Sequence, residues 1–325
     1  MKDKTLNIGI LGCATIAERS VIPAILELNN LYTLEGIASR DLNKAKVFAE
    51  KFGSRAYLSY EAIVEDVNID AVYIPLPNSL HAEWIEKSLH LGKHVLVEKS
   101  LACTYNEVKY LNNLAKEKGL TLVENFQFRF HSQLKYILNL IEQGTIGEIR
   151  CIRSSFGFPG LPSENDIRYQ SDLGGGALLD AGAYPVKISQ IFMGYDIEVK
   201  ASNLNFLPGK NVDIWGGAYL KQRNGNLFAE IAFGFQHFYQ CNIEIWGSKG
   251  KLSTNRIFTA TPQIKPVIEL ETQSGKPIIT LDKDKHFNNM LTHFHAVVNN
   301  GGNREDEYIQ NINQSRLIHE IIQKR

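Results

Sequence analysis

Residues 6 to 17 read LNIGILGCATIA, an apolar strand that runs into a glycine turn and then an amphipathic helix. Leu6, Ile8, Ile10 and Leu11 have the pattern of a parallel strand buried on both faces. Gly12 permits the tight turn, and the first turn of the following helix directs unpaired N–H groups at an anion. In the spacing G-x-G-x-x-G/A, Gly12 takes the first position, Ala14 the second and Ala17 the third, with Thr15 and Ile16 completing the turn. The pattern therefore departs from glycine where the backbone comes closest to a pyrophosphate. The junction suits a dinucleotide, although alone it also describes an ordinary strand-turn-helix entry.

A second strand, Tyr32 to Ala38, ends in Ser39-Arg40. An NAD-specific site places Asp or Glu there to bond the ribose 2′-hydroxyl, whereas a hydroxyl followed by a guanidinium suits a 2′-phosphate. The expected cofactor is therefore NADP(H).

Apolar runs near residues 6–12, 32–39, 71–77, 94–98 and 120–124 alternate with helical patterns, and 56–58 adds a short strand. This is the signature of an α/β, doubly wound parallel sheet over residues 1–125. Ligands in such folds sit outside the carboxyl ends of the strands. Pro77, Asn78, His81, Glu98 and Lys99 are thereby expected beside the Gly12 turn. His81 reads equally as a helix-cap or surface residue.

From residue 126 the pattern changes. A helix at about 131–143 precedes strands near 149–158, 198–207, 213–223, 226–235 and 239–246, with turns at Arg223-Asn224-Gly225-Asn226 and Gly247-Ser248-Lys249-Gly250. Residues 126–325 are thus expected to form a second α/β domain with a large, mostly antiparallel sheet. A loop from Pro159 to Asp172 leads into a helix carrying GGGALLDAGAYP, and a last helix spans about 311–323.

Composition narrows the partners. Lys plus Arg equal Asp plus Glu at 35 each, leaving no basic field for nucleic acid or an anionic membrane. No apolar run approaches a membrane span, and the first strand leaves no room for a signal peptide, so a cytoplasmic location is expected. Cys13, Cys103, Cys151 and Cys241 form no C-x-x-C pair and read as reduced thiols, and His293 and His295 are too close in a helix to share a face; no metal is expected.

The segments HVLVEKS, VENFQFRFH and DIRYQSDLGGGALLDAGAYP resemble the Gfo/Idh/MocA oxidoreductases over nearly the whole chain. Together with GCATIA, PLPNSLHAEW and GSKGKLSTNRIFT they are most similar to the dTDP-sugar 3-ketoreductases of deoxysugar biosynthesis. The resemblance implies a Rossmann domain followed by an α/β domain, residues 126–325, for substrate binding and oligomerisation, whose open sheet faces the substrate cleft or another subunit, in a homo-oligomer (dimer or tetramer). It implies reduction of a keto group, at carbon 3, of a nucleotide-linked keto-deoxysugar. Oxidation of a free sugar or diol, as in the related xylose and dihydrodiol dehydrogenases, and dinucleotide binding without turnover are the alternatives.

Hydride delivery to a ketone builds negative charge on oxygen, so the site needs a cation or acid there. Glu98 and Lys99 match the first two positions of the family's Glu-Lys-Pro motif, Lys99 taking the catalytic lysine and Ser100 replacing the proline. Asp180 and Tyr184 stand four apart on one helical face, where most of the family carries histidine in place of Tyr184. A phenol can give its proton to the forming alkoxide, with Asp180 orienting it. A buried core tyrosine is the competing reading of Tyr184. Arg168 resembles the family segment that reaches the cofactor, although a loop arginine equally suits a substrate phosphate. Asn125, with Gln127 and Arg129, is expected to line the passage between domains, or else to satisfy local backbone.

Overall fold

A computed structural model describes residues 4–161, 163, 165–209 and 211–325. Two expected features touch the remainder: residues 1–3, ahead of the first strand, and Pro162 and Glu164, within the 159–172 loop, lie outside the described residues.

The chain forms two compact units, Met1–Asn125 with Phe287–Ile312, and Phe126–His286 with Asn313–Arg325. Contact thus groups residues 287–312, expected within the second domain of 126–325, with the first unit. From Phe287 onward the helix His286–Asn300, which periodicity did not single out, and the first part of Arg304–Gln323 belong to the first unit. They are tied there by side chains: the Tyr32 hydroxyl donates to the Leu291 carbonyl at 2.6 Å, and Tyr308 joins the first unit's apolar core. The last helix is also longer than the expected 311–323.

In the first unit, strands β1 (Leu6–Leu11), β2 (Tyr32–Ala38), β3 (Arg55–Tyr57), β4 (Ala71–Ile74), β5 (His94–Glu98) and β6 (Leu122–Asn125) form one sheet in the order β3-β2-β1-β4-β5-β6. Every pairing is parallel. The order reverses between β1 and β4, which is the switch point where doubly wound sheets open a crevice for ligand. Ile8, Ile10, Leu11 and all four residues of β4 are buried, as a sheet covered on both faces requires. Helix ends are fixed by side chains. Asp41 accepts from the backbone N–H of Asn43 and Lys44 to start Leu42–Phe52, and Thr104 and Glu107 form a capping box on Tyr105–Glu117.

His94 on β5 is half-buried, and its Nδ1 accepts from the Thr121 N–H at 3.0 Å. Burial first, then the Arg304 guanidinium, lowers its pKa to about 4. The unfolded chain therefore takes up a proton near the ordinary histidine value of 6.5 that the folded chain refuses until about 4, so this residue's contribution to stability falls as pH drops through that window. Melting temperatures of His94→Asn, whose amide oxygen can still accept from Thr121, are expected to decline less between those pH values than wild type. Parallel curves would contradict this.

The second unit holds β7 (Ile149–Gly157), β8 (Ile197–Phe206), β9 (Asp213–Gln222), β10 (Phe228–Gly234), β11 (Gln240–Gly247), β12 (Gly250–Asn255), β13 (Val267–Thr272) and β14 (Ile278–Thr280). They form one sheet in the order β14-β13-β12-β11-β7-β10-β9-β8, antiparallel except for β7 against β10. The last three strands were not anticipated. On β11, Cys241, Ile243 and Ile245 point into the core while Asn242, Glu244 and Trp246 alternate outward, which leaves one face of the sheet polar and partly open. The helices Ser132–Glu142 and Ala183–Met193 contribute Leu134, Ile137, Val186 and Ile188 to the same core.

Candidate active site

In the first unit the carboxyl ends of β1, β2, β4, β5 and β6 bring Gly12, Ser39-Arg40, Leu76-Pro77-Asn78, Glu98-Lys99 and Asn125 to one edge of the sheet. Gly12 has φ +120°, and a Cβ there would meet Leu76 Cδ2 at 2.9 Å, so only glycine fits between the two strand ends. Its N–H bonds across the sheet to the carbonyl of Ala38, the last residue of β2, at 2.9 Å. Helix begins at Thr15, so the first-turn N–H groups near Ala14, Thr15 and Ile16 have no partner within the helix. Ala17 is fully buried, the place of close helix-sheet packing. One detail departs from the expected plain helix: Ala17–Val21 is wound as a π-helix before Ile22–Glu27 continues as α.

Ser39 is 7% exposed and its hydroxyl accepts from the Asp41 N–H, while the following Arg40 is exposed. Asp41, the next carboxylate in sequence, is engaged in capping, its side chain accepting from the Asn43 and Lys44 N–H groups. Glycine turn, open helix start, serine and exposed guanidinium together fit a dinucleotide carrying a 2′-phosphate.

Glu98 is half-buried, and its Oε1 accepts from the Tyr73 hydroxyl and from Asn125 Nδ2, each at 2.6 Å. Burial raises its pKa against those two hydrogen bonds. Lys99 follows at the strand end, and the Lys99–Ser100 peptide is cis although no proline is present. His81 differs from its expected place. It is fully buried and not a surface residue, with Nδ1 2.8 Å from the Ser100 carbonyl oxygen and Nε2 2.8 Å from that of Leu76, so both ring nitrogens face backbone.

In the second unit Tyr184 opens the helix Ala183–Met193, preceded by a π-helical turn at Leu178–Gly182 that carries Asp180. The Tyr184 ring is 8% exposed among Phe126, Phe128, Phe156 and Phe258, at centroid distances of 5.6, 5.9, 5.0 and 5.4 Å. It is thus packed as firmly as a core ring, which holds the phenol at a fixed position. Asp180 Oδ2 accepts from Arg168 Nε at 2.5 Å, and Arg168 also meets Asp166 at 3.3 Å. The expected orienting carboxylate and the expected loop arginine are therefore partners of each other. Coulombic attraction by Asp180 leads the causes that hold the Arg168 guanidinium protonated. Gln127 Nε2 bonds the Phe258 carbonyl at 3.4 Å, the local-backbone alternative of its two readings.

Two supports of the Tyr184 helix carried no sequence signal. Asp213, at the start of β9, accepts from the Leu178 N–H at 2.7 Å, and burial raises its pKa to about 6. Gln314 donates to the Ala183 carbonyl at 2.8 Å while accepting from Gln190, both amides being buried. Distance in sequence hid them.

A six-stranded parallel sheet with a glycine turn at its switch point is a Rossmann-type arrangement. Residues 6–126 match the oxidoreductase family model described as an NAD-binding Rossmann fold, and residues 134–253 match the GFO/IDH/MocA C-terminal domain. The chain belongs to the Gfo/Idh/MocA oxidoreductase family. It is 39% identical to a dTDP-3,4-didehydro-2,6-dideoxy-α-D-glucose 3-reductase from Actinomadura kijaniata, over 96% of this chain and 93% of that one. A 3-reductase of the same name from Streptomyces antibioticus is 36% identical over 99% and 98% of the two chains. The crystal structure of a 3-ketoreductase from Actinomadura kijaniata in complex with NADP and TDP-benzene superposes with a TM-score of 0.94 at 37% identity, covering 99% of this chain and 98% of that one. Among the described residues no helix is long and apolar enough to cross a membrane, and no group of three or more His, Cys, Asp or Glu could hold a metal ion.

Proposed function

We propose that the protein reduces the keto group at carbon 3 of a nucleotide-linked keto-deoxysugar with NADPH. The observation that carries this reading is the placement of Lys99 at the carboxyl end of β5, on the same sheet edge as Gly12, Ser39 and Arg40. The similarity to the two 3-reductases supports the substrate class. Gly12, Ala14, Thr15 and Ile16 would hold the pyrophosphate, Ser39 and Arg40 the 2′-phosphate, and Pro77, Asn78, Glu98, Asn125 and Arg168 the remainder. When bound, the nicotinamide supplies a hydride. As the carbonyl π pair moves onto oxygen, the Lys99 ammonium stabilises the growing charge, and the Tyr184 hydroxyl gives its proton to the alkoxide. Asp180 acts through Arg168 to keep the segment before the Tyr184 helix in place.

The same reading places the protein in the cytoplasm, which suits its four free cysteines. It also pairs copies of the chain as a dimer or tetramer through the open sheet face, where Trp246 is 39% exposed.

Cofactor choice follows from Arg40. Titration is expected to show NADPH binding more tightly than NADH, with Arg40→Ala losing roughly 1.5–3 kcal/mol of the preference, the range of a hydrogen bond to a charged group. Equal affinity for both cofactors in wild type would contradict the assignment. Steady-state assays with a dTDP-linked 3-keto sugar against xylose and a dihydrodiol test the substrate class, the nucleotide sugar being expected to give the higher kcat/KM.

A further inference from the structure

His81 lies in the helix Asn78–His90, which leaves the end of β4, and its ring is 0% exposed. The two carbonyls it meets, at 2.8 Å each, belong to the two turns that carry the first unit's chemistry. Ser100 directly follows Lys99. Leu76 is the side chain against which Gly12 packs so closely that a Cβ would come within 2.9 Å. An imidazole is a rigid ring, so a hydrogen bond from one nitrogen fixes the orientation of the whole ring between the two turns. Neighbouring residues fix the same segment: Glu124 accepts from the Leu101 N–H at 2.8 Å, and Glu98 is held by Tyr73 and Asn125. The backbone on both sides of Lys99 is therefore clamped, while the lysine itself has a flexible four-carbon stem whose reach depends on its root.

We propose that His81 is a positioning residue for Lys99, its Nδ1–H donating to the Ser100 carbonyl and so holding the turn after β5 against the helix that leaves β4, with the ammonium presented at a set distance from the dinucleotide turn. This rests on the reading of Lys99 as the group that stabilises the developing alkoxide. Burial, with the Lys99 ammonium adding to it, lowers the His81 pKa to about 4, so near neutral pH the ring is uncharged and has one N–H to give; placed on Nδ1 it goes to Ser100, and Nε2 then lies beside the Leu76 carbonyl without donating. Asparagine at this position puts its amide nitrogen where Nδ1 stands, toward Ser100. Glutamine puts its own where Nε2 stands, toward Leu76.

The experiment compares wild type, His81→Asn, His81→Gln, Lys99→Met and the double variant His81→Gln/Lys99→Met by kcat, KM for the keto sugar, NADPH affinity and melting temperature. His81→Gln is expected to lower kcat roughly ten- to a hundredfold, the scale of a misaligned catalytic group, with NADPH affinity largely kept. His81→Asn should recover most of that loss. In the Lys99→Met background His81→Gln should cost nothing further, because both changes remove one interaction. A merely structural histidine would lower stability and every kinetic parameter together, rank Asn and Gln alike and add its effect to Lys99→Met; that pattern overturns the proposal. Undiminished turnover in Lys99→Met overturns instead the reading of Lys99, whatever the His81 variants do. Should His81→Gln fail to fold, His81→Asn decides: near-wild-type kcat supports the bridge to Ser100, and a loss that adds to Lys99→Met refutes it.

Discussion

Lys99→Met is expected to lower turnover by roughly 10²–10⁴-fold, the usual worth of a positioned acid or electrostatic group, while NADPH binds nearly as well as to wild type. The separation follows from where the charge appears. The ground-state ketone is neutral, and the oxygen becomes anionic only as hydride arrives, so the ammonium acts on the transition state and contributes little to earlier binding. Methionine keeps the length and apolar stem of lysine, so the fold should survive. Single-turnover rates and cofactor affinity on one preparation check this, with kcat and kcat/KM falling together as the expected signature. Unchanged turnover would return Lys99 to the role of a solvated strand-end charge.

Tyr184→Phe is expected to slow reduction by roughly 10²-fold or more with little change in stability, since the ring keeps its packing against Phe126, Phe128, Phe156 and Phe258. The pH dependence carries more information than the rate. Wild type should lose reduction activity at high pH, where the proton donor ionises, and the phenylalanine variant should lose or displace that limb. A partial rate loss is compatible with the account, because groups that act as a unit do not contribute additively. Identical rates and pH profiles in both proteins would make Tyr184 a packing residue only.

The parallel sheet was legible because its strands are short apolar runs separated by helical periods, and the glycine turn at Gly12 marks the ligand-bearing edge. Lys99, Glu98 and Asn125 were legible for the same reason, since a strand's carboxyl end can be read from its apolar run. What escaped depends on long-range contact. The return of 287–312 to the first unit rests on pairs such as Tyr32 with Leu291, 259 residues apart, which no local pattern announces. Strands β12 to β14 mix charged and hydroxyl residues on a half-open face, as in KLSTN and VIELET, so their alternation is weak. The ambiguity of His81 was of another kind. A histidine near a helix start is compatible with a cap, a ligand contact or a buried ring, and only long-range packing shows it buried with both nitrogens facing backbone carbonyls. Likewise the spacing of Asp180 and Tyr184 suggested a shared face but could not reveal that Arg168 claims the carboxylate.

The central claim is hydride transfer from NADPH to carbon 3 of a nucleotide-linked keto sugar. Incubating the protein with a dTDP-linked 3,4-didehydro-2,6-dideoxyhexose and NADPH deuterated at the transferring position, followed by NMR of the product, tests it directly. The account predicts one deuterium at carbon 3 with stoichiometric oxidation of NADPH. Deuterium at another carbon, or no oxidation of NADPH by this substrate while NADP is reduced with xylose or a dihydrodiol, would contradict it.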